Sequence, residues 1–186
     1  DALTKEDILV LAGSIPNTLP EDIYEKILAS LESKGIRVVV DATKDLLLNV
    51  LKYHPFLIKP NNHELEAIFN VKLNGLADVE KYAREILAKG AQNVIISMAG
   101  DGAFFICENG KVYFSEAPKG IVKNSVGAGD SMVAGFIAGY EKTKNYIQAF
   151  KMGVATGSAS AFSHDLATQE EVDELLKTVH EVEYEY

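Results

Sequence analysis

Short apolar runs alternate with stretches of helical periodicity along most of this chain. DILVLA (residues 7–12), closed by Gly13, has the length and continuity of a buried strand, and IRVVV (36–40), FLI (56–58) and NVIIS (93–97) repeat the pattern. Between the first two, Ile23, Tyr24, Ile27, Leu28 and Leu31 recur at helical spacing. Thr18-Leu19-Pro20-Glu21 ahead of them has the form of a capping box, and Gly35 supplies a stop. Further helices are expected around Lys44 to Leu51, around Glu64 to Phe69 and from Asp78 to Leu87. Strands separated by helices imply βαβ units: an α/β fold with a mostly parallel central sheet and helices on both faces.

The rhythm then changes. AFFIC (103–107), Glu108-Asn109-Gly110 and KVYF (111–114) predict a β-hairpin with Asn-Gly at the turn, and so an antiparallel edge. Three helical segments follow, at 127–141, 145–162 and 168–180. The middle one begins near Asn145 and carries Gly153, Ala155, Gly157, Ala159 and Ala161, small residues suited to close packing against a neighbour. No low-complexity linker or internal repeat interrupts the chain, so residues 1–186 are expected to form one domain. It opens abruptly, because Asp1 leads almost at once into a strand of buried type.

Composition narrows the function. With 186 residues, 47% of them hydrophobic, the chain can bury a substantial core, alone or as part of something larger. A net charge of −9 opposes the attraction to phosphate backbones on which nucleic-acid binders rely. The single Cys107 excludes a disulfide framework within the chain and a cysteine-rich zinc site, and it fits a reducing compartment, so a cytoplasmic location is expected. No apolar run is long enough to cross a bilayer, and residues 1–12 lack the features of a signal peptide, so no membrane association is expected. His54, His63, His164 and His180 show no metal-ligand spacing. Asp41 is expected as a loop acid, and Tyr184 and Tyr186 as solvated ends of an acidic tail.

Candidate chemistry concentrates in SVGAGDSMVAGF (125–136). At the start of a helix, the small residues Gly127, Ala128 and Gly129 leave first-turn amides open to approach. Those orphan donors and the positive end of the helix dipole suit an anion. Asp130 then stands in the first turn, either as a simple partner of the dipole or as a base beside a bound phosphoryl group, where it can accept the proton of an attacking hydroxyl.

The stretch VGAGDSMVAGF resembles the C-terminal signature of the ribokinase-like sugar kinases, the phosphofructokinase B family. Three further segments resemble that family in the same order: Gly13-Ser14-Ile15-Pro16, Lys59-Pro60-Asn61-Asn62-His63-Glu64-Leu65, and Ser97-Met98-Ala99-Gly100-Asp101-Gly102-Ala103. There are two departures. Ala99 replaces the usual first glycine of the nucleotide loop, so Gly100 and Gly102 must make the turn. Asn124-Ser125 precedes GAGD where many members have Asp, a variant that, with FSHDLAT (162–168), is similar to the branch acting on phosphorylated ketohexoses.

The resemblance implies a three-layer ribokinase-like fold of which this chain is the C-terminal, nucleotide-binding portion, with the N-terminal part and its lid missing. It implies ATP and Mg²⁺ as cofactors and phosphoryl transfer to the primary hydroxyl of a ketohexose phosphate, foremost fructose 1-phosphate. Tagatose 6-phosphate, or an incomplete nucleotide-binding fragment, are the alternatives. It casts Asp130 as the catalytic base and Gly127, Ala128 and Gly129 as the anion hole. Ser97, Gly100, Asp101, Gly102 and, beside the adenine, Gly153, Gly157 and Ser158 are implied for the nucleotide. Asn61 and Glu64 are implied around magnesium and phosphate, Glu64 as the metal group; helix capping is their competing reading. Lys59 is either a phosphate contact or a solvated strand end. A homodimer is implied for the full-length protein.

Overall fold

The computed structural model describes residues 3–184 apart from Ser14, Asn17, Glu21 and Thr43, and apart from the side chains of Lys44 and Asp45. The chain forms two compact units, one made of Asp1–Ile96 with Ile106–Gly110 and the other of Ser97–Phe105 with Lys111–Tyr186.

In the first unit, β1 (Ile8–Ala12), β2 (Arg37–Asp41), β3 (Leu57–Ile58) and the start of β4 (Val94–Ser97) lie in that order. All pair in parallel, with Leu9 opposite Val38, Val40 opposite Ile58, and Ile58 opposite Val94. The crossovers are α1 (Ile23–Leu31), α2 (Lys44–Val50), and α3 (Asn62–Phe69) with α4 (Leu76–Ala88). Successive right-handed crossovers that all step in one direction set these helices side by side. Accordingly α1 packs on α2, α2 on α3 and α3 on α4. Val39, Val40, Leu57, Ile58 and Ile95 are fully buried, the apolar run expected of inner parallel strands, and Leu65 of α3 and Ile86 of α4 are fully buried as well.

The helix expected after Thr18 begins later than a cap at Thr18 would place it, with Asp22 as its N-cap. The Leu19 amide donates to the Pro16 carbonyl, and α1 starts only at Ile23, whose amide meets the Pro20 carbonyl. Glu21, the other half of the expected capping box, lies outside the described residues.

In the second unit, β6 (Val112–Ser115) lies between β5 (Ala103–Ile106) and β7 (Glu181–Glu183). The Asn109-Gly110 turn is present, with Gly110 at φ +81° and its amide on the Cys107 carbonyl at 2.8 Å. The hairpin is not the edge, however. The tail expected to be solvated supplies β7, antiparallel to β6 with Phe114 opposite Val182. Its position is fixed by Lys151–Glu181 (2.9 Å) and Lys111–Glu183 (2.8 Å), by the Tyr184 amide on the Val112 carbonyl (2.9 Å), and by the Tyr184 ring edge-on to Phe104. Tyr184 is therefore a packed residue. Tyr186 lies outside the described residues.

The core of this unit is aromatic. Phe105 stacks on Phe150 at 5.2 Å between ring centres and meets Phe136 edge-on at 5.5 Å. Phe136 sits on α5 (Ala128–Thr143) and Phe150 on α6 (Tyr146–Phe162), and α7 (Gln169–Leu176) packs on α6. α5 and α6 approach backbone to backbone: a Cβ at Gly135 would lie 2.4 Å from Thr156 Oγ1 and 2.7 Å from the Met152 carbonyl oxygen. The small-residue helix therefore packs as its composition predicts. Among the described residues, no helix is long and apolar enough to cross a membrane.

Candidate active site

Helix α5 begins in an unusual way. Gly127, its N-cap, has φ +80°, and no side chain caps the first turn. The loop before it is pinned to the end of α6, because the amides of Lys123 and Asn124 both donate to the Ala161 carbonyl, at 2.9 and 3.2 Å. Asn124 then accepts the Val126 amide on Oδ1 at 3.0 Å, which gives the Asn at this departure from the family pattern a turn-forming role. Of the three small residues, Ala128 directs its amide to the Ser125 carbonyl at a long 3.3 Å. Helix geometry supplies no acceptor for the amides of Gly129 and Asp130. Asp130 itself is exposed in the first turn. From below, Gly157 on α6 supports this start: a Cβ there would lie 3.0 Å from the Ala128 carbonyl oxygen and 3.1 Å from Met132 Cβ. Ser158, next along α6, is half-buried.

The second cluster of the same unit follows β4. Ser97 ends the strand and Ala99–Asp101 form a single 3-10 turn, closed by the Asp101 amide on the Met98 carbonyl (3.0 Å) and the Gly102 amide on that of Ala99 (3.1 Å). Ala99 has φ +49°, the left-handed conformation that glycine adopts freely. Gly102 is required for a second reason. At φ +102°, a Cβ would lie 2.0 Å from the Ser115 carbonyl oxygen at the end of β6. Gly100 and Asp101 are exposed, and a Cβ on Gly100 would meet nothing within 4 Å.

In the first unit, Lys59, Asn61 and Glu64 follow β3. Asn61 caps α3: its Oδ1 accepts the Glu64 amide at 2.8 Å, while Glu64 Oε2 accepts the Asn61 amide at 2.8 Å. The capping reading of this pair is thus realised, and it leaves Glu64 Oε1 outside the box. Lys59 is not a solvated strand end. Its side chain is 6% exposed, with Nζ 3.2 Å from Asp41 Oδ2. Asp41 is likewise not a loop acid; it ends β2, and its side chain is only 16% exposed. The register explains both corrections, since Val40 opposite Ile58 brings the next residues, Asp41 and Lys59, side by side. Tyr24 adjoins them, donating to the carbonyls of Ala12 (3.0 Å) and Gly13 (3.3 Å). Burial, and then the Asp41 carboxylate, push its hydroxyl above the usual tyrosine range.

Among the described residues no group of three or more His, Cys, Asp or Glu side chains is placed to hold a metal ion. A magnesium ion at Glu64 would draw most of its ligands from water and phosphate, which suits Mg²⁺. Sequence reasoning also passed over an apolar rim: Ile121, Val122, Val126 and Leu166 are 63–82% exposed around the start of α5, with Leu166 Cδ2 3.8 Å from where a Gly127 Cβ would be. The Ile121-Val122 pair beside a polar loop was the available signal.

An uncapped helix start beside an exposed carboxylate, in a chain with a glycine-built turn at the end of a parallel strand, is an α/β arrangement suited to an anion. The chain belongs to the pfkB family carbohydrate kinases, whose family model matches residues 1–173. It is 47% identical over 178 residues to the 1-phosphofructokinase of Bacillus subtilis (strain 168), a match covering 96% of this chain and 58% of that protein. It is 34% identical over 168 residues to a D-tagatose-1-phosphate kinase of Bacillus licheniformis, covering 89% and 55%. The crystal structure of phosphofructokinase-2 from Escherichia coli in complex with substrates and products matches with a TM-score of 0.88 at 28% identity, covering 95% of this chain and 58% of that one. The chain thus spans little more than half the length of these relatives.

Proposed function

We propose that this chain is the nucleotide-binding and catalytic portion of a kinase that transfers the γ-phosphoryl group of ATP to the 6-hydroxyl of fructose 1-phosphate, giving fructose 1,6-bisphosphate and ADP. The observation that carries this reading is the start of α5, where an uncapped first turn stands beside the exposed Asp130. Asp130 takes the proton of the sugar hydroxyl as its oxygen forms a bond to the γ-phosphorus and the bond from that phosphorus to the β,γ-bridging oxygen breaks. The open amides of Gly129 and Asp130 stabilise charge on the transferring group, with Gly127 and Ala128 shaping the approach. The turn at Ser97, Gly100, Asp101 and Gly102, with Ser158 on α6, would receive the nucleotide. Lys59 would meet phosphate oxygens. Asn61 and Glu64 would hold Mg²⁺ through water, where it would neutralise charge on the triphosphate.

The names of the relatives favour a sugar already phosphorylated at C1, which leaves the C6 hydroxyl as acceptor. D-tagatose 1-phosphate, the C4 epimer, is the second reading. A cytoplasmic site of action fits the single cysteine and the net charge of −9. Association of copies in the longer polypeptide fits the resemblance and the tetrameric form known for Escherichia coli phosphofructokinase-2.

The test is incubation with MgATP and, in turn, the 1- and 6-phosphates of fructose and tagatose, with products read by phosphorus NMR. A new phosphomonoester at C6 of fructose 1-phosphate supports the proposal. Faster transfer to tagatose 1-phosphate favours the second reading. Binding of ATP with transfer to none of the four reduces the chain to a nucleotide-binding fragment.

A further inference from the structure

Among the described residues, β1 is an outermost strand of its sheet and pairs with β2 alone. Its sequence, ILVLA, is of the kind that parallel sheets bury on both faces, yet Val10 is 43% exposed, whereas Val39, opposite it on β2, is fully buried. The ladder shows which backbone groups stand on the open side. The Gly13 amide donates to the Asp41 carbonyl at 3.2 Å, and along a regular strand successive amides point to opposite sides. The amides of Leu9 and Leu11 therefore face β2, and those of Ile8, Val10 and Ala12 face outward. The Ala12 carbonyl agrees with this assignment, since it takes the Tyr24 hydroxyl at 3.0 Å and not an amide of β2.

This edge is not guarded. Residues 8–12 hold no charge, no proline and no bulge, the devices by which edge strands avoid pairing. The stretch ahead of them is held in a turn of its own: the Asp7 amide donates to the Thr4 carbonyl at 3.0 Å and Asp7 Oδ2 accepts the Thr4 amide at 2.7 Å. Lys34, just before β2, meets the Leu3 carbonyl at 3.4 Å.

We propose that β1 is a docking edge for a second copy of this chain, the two strands pairing antiparallel about a two-fold axis at Val10. The outward groups are centred on Val10, so in this register Val10 exchanges both hydrogen bonds with the partner's Val10, and Ile8 exchanges both with the partner's Ala12. The valines form a β-branched cross-strand pair, and Asp7 comes opposite the partner's Gly13, so no like charges oppose one another. A two-fold contact also closes on itself. Pairing of β1 with β7 of another copy would be open-ended, and Glu181 and Glu183 guard β7 against it. The contact lies within the first unit of each copy and uses none of the residues around the start of α5.

The test is sedimentation velocity of the full chain over a dilution series, for wild type, Val10→Lys and Val182→Lys, with wild-type amide exchange read residue by residue at low and high concentration. Expected is a wild-type mass that falls twofold on dilution and a monomer throughout for Val10→Lys. Val182→Lys, which puts the same charge on an exposed valine of β7, should behave as wild type. The amides of Ile8, Val10 and Ala12 should exchange more slowly as concentration rises, while those of Leu9 and Leu11 are slow at both. A wild type that stays monomeric overturns the proposal, as does a dimer that survives in folded Val10→Lys or is lost equally in Val182→Lys. Slow exchange of the three outward amides in a monomer shows that the chain covers its own edge, and overturns it too. Should Val10→Lys not fold, the wild-type exchange decides: concentration-dependent protection at those alternate residues supports the proposal, and its absence there overturns it.

Discussion

Replacing Gly102 by alanine would strike the joint between the nucleotide turn and β6. Two terms add. The residue sits at φ +102° and ψ −143°, a region essentially confined to glycine, and holding an L-residue there costs about 1–3 kcal/mol. The new Cβ would lie 2.0 Å from the Ser115 carbonyl oxygen and 2.9 Å from both the Ala117 nitrogen and Glu116 Cα, all of them backbone atoms that cannot swing aside. Overpacking of this kind adds about 1–3 kcal/mol. The sum, about 2–6 kcal/mol, is a shift of the urea midpoint on the order of 1 M or more for an ordinary slope. Tyrosine fluorescence can follow the unfolding, since the chain has eight tyrosines and no tryptophan. Gly100→Ala is the control, because its Cβ meets nothing within 4 Å, and a change within about 0.5 kcal/mol is expected. Equal midpoints for wild type and Gly102→Ala would refute the argument that close approach, rather than ligand contact alone, requires this glycine.

Three further outcomes follow from the same geometry. Gly157→Val pushes into the Ala128 carbonyl and Met132, and should cost about 1–3 kcal/mol while weakening ATP binding, readable by paired urea and calorimetric titrations. Asn61→Ala removes one half of the α3 capping box and should cost about 0.5–2 kcal/mol in the same unfolding assay, with Asn61→Asp retaining most of the stability. At the start of α7, the Thr168 amide first, then the hydroxyls of Thr168 and Ser163, hold the Glu171 carboxyl below its ordinary value of 4.5. A lowered carboxylate stabilises the fold above that value and loses its contribution as pH falls through the lower folded value. Protection of the amides in the first turn of α7, with exchange rates taken relative to the intrinsic rate at each pH, should therefore fall below pH 4.5, and Glu171→Gln should flatten that dependence.

Much of this architecture was legible because periodicity reports burial. β2 and β4 carry unbroken apolar runs, and both were placed within a residue or two. The Asn109-Gly110 turn and the Asn145 start of α6 also announced themselves through local chemistry. The parts that escaped depend on contacts distant in sequence. Glu181–Glu183 alternates charge with a single valine, and only Lys111, Lys151 and the open side of β6 make it a strand. The start of α1 was read too early, because Asp22 and not Thr18 stands at its N-cap. In the candidate site, the Asp130 helix start was visible as a cluster of small residues before an acid. The burial of Lys59 against Asp41 was not, because the register that joins them is set by two strands sixteen or more residues apart in the chain.

Single-turnover transfer from MgATP to fructose 1-phosphate in Asp130→Asn, set beside the affinity of the same variant for MgATP, tests the central claim most directly. The account predicts a rate about 10²- to 10⁴-fold below wild type, the usual contribution of a positioned base, with nucleotide affinity unchanged. A wild-type rate in that variant, or a loss of ATP binding large enough to explain the whole fall in rate, would contradict it.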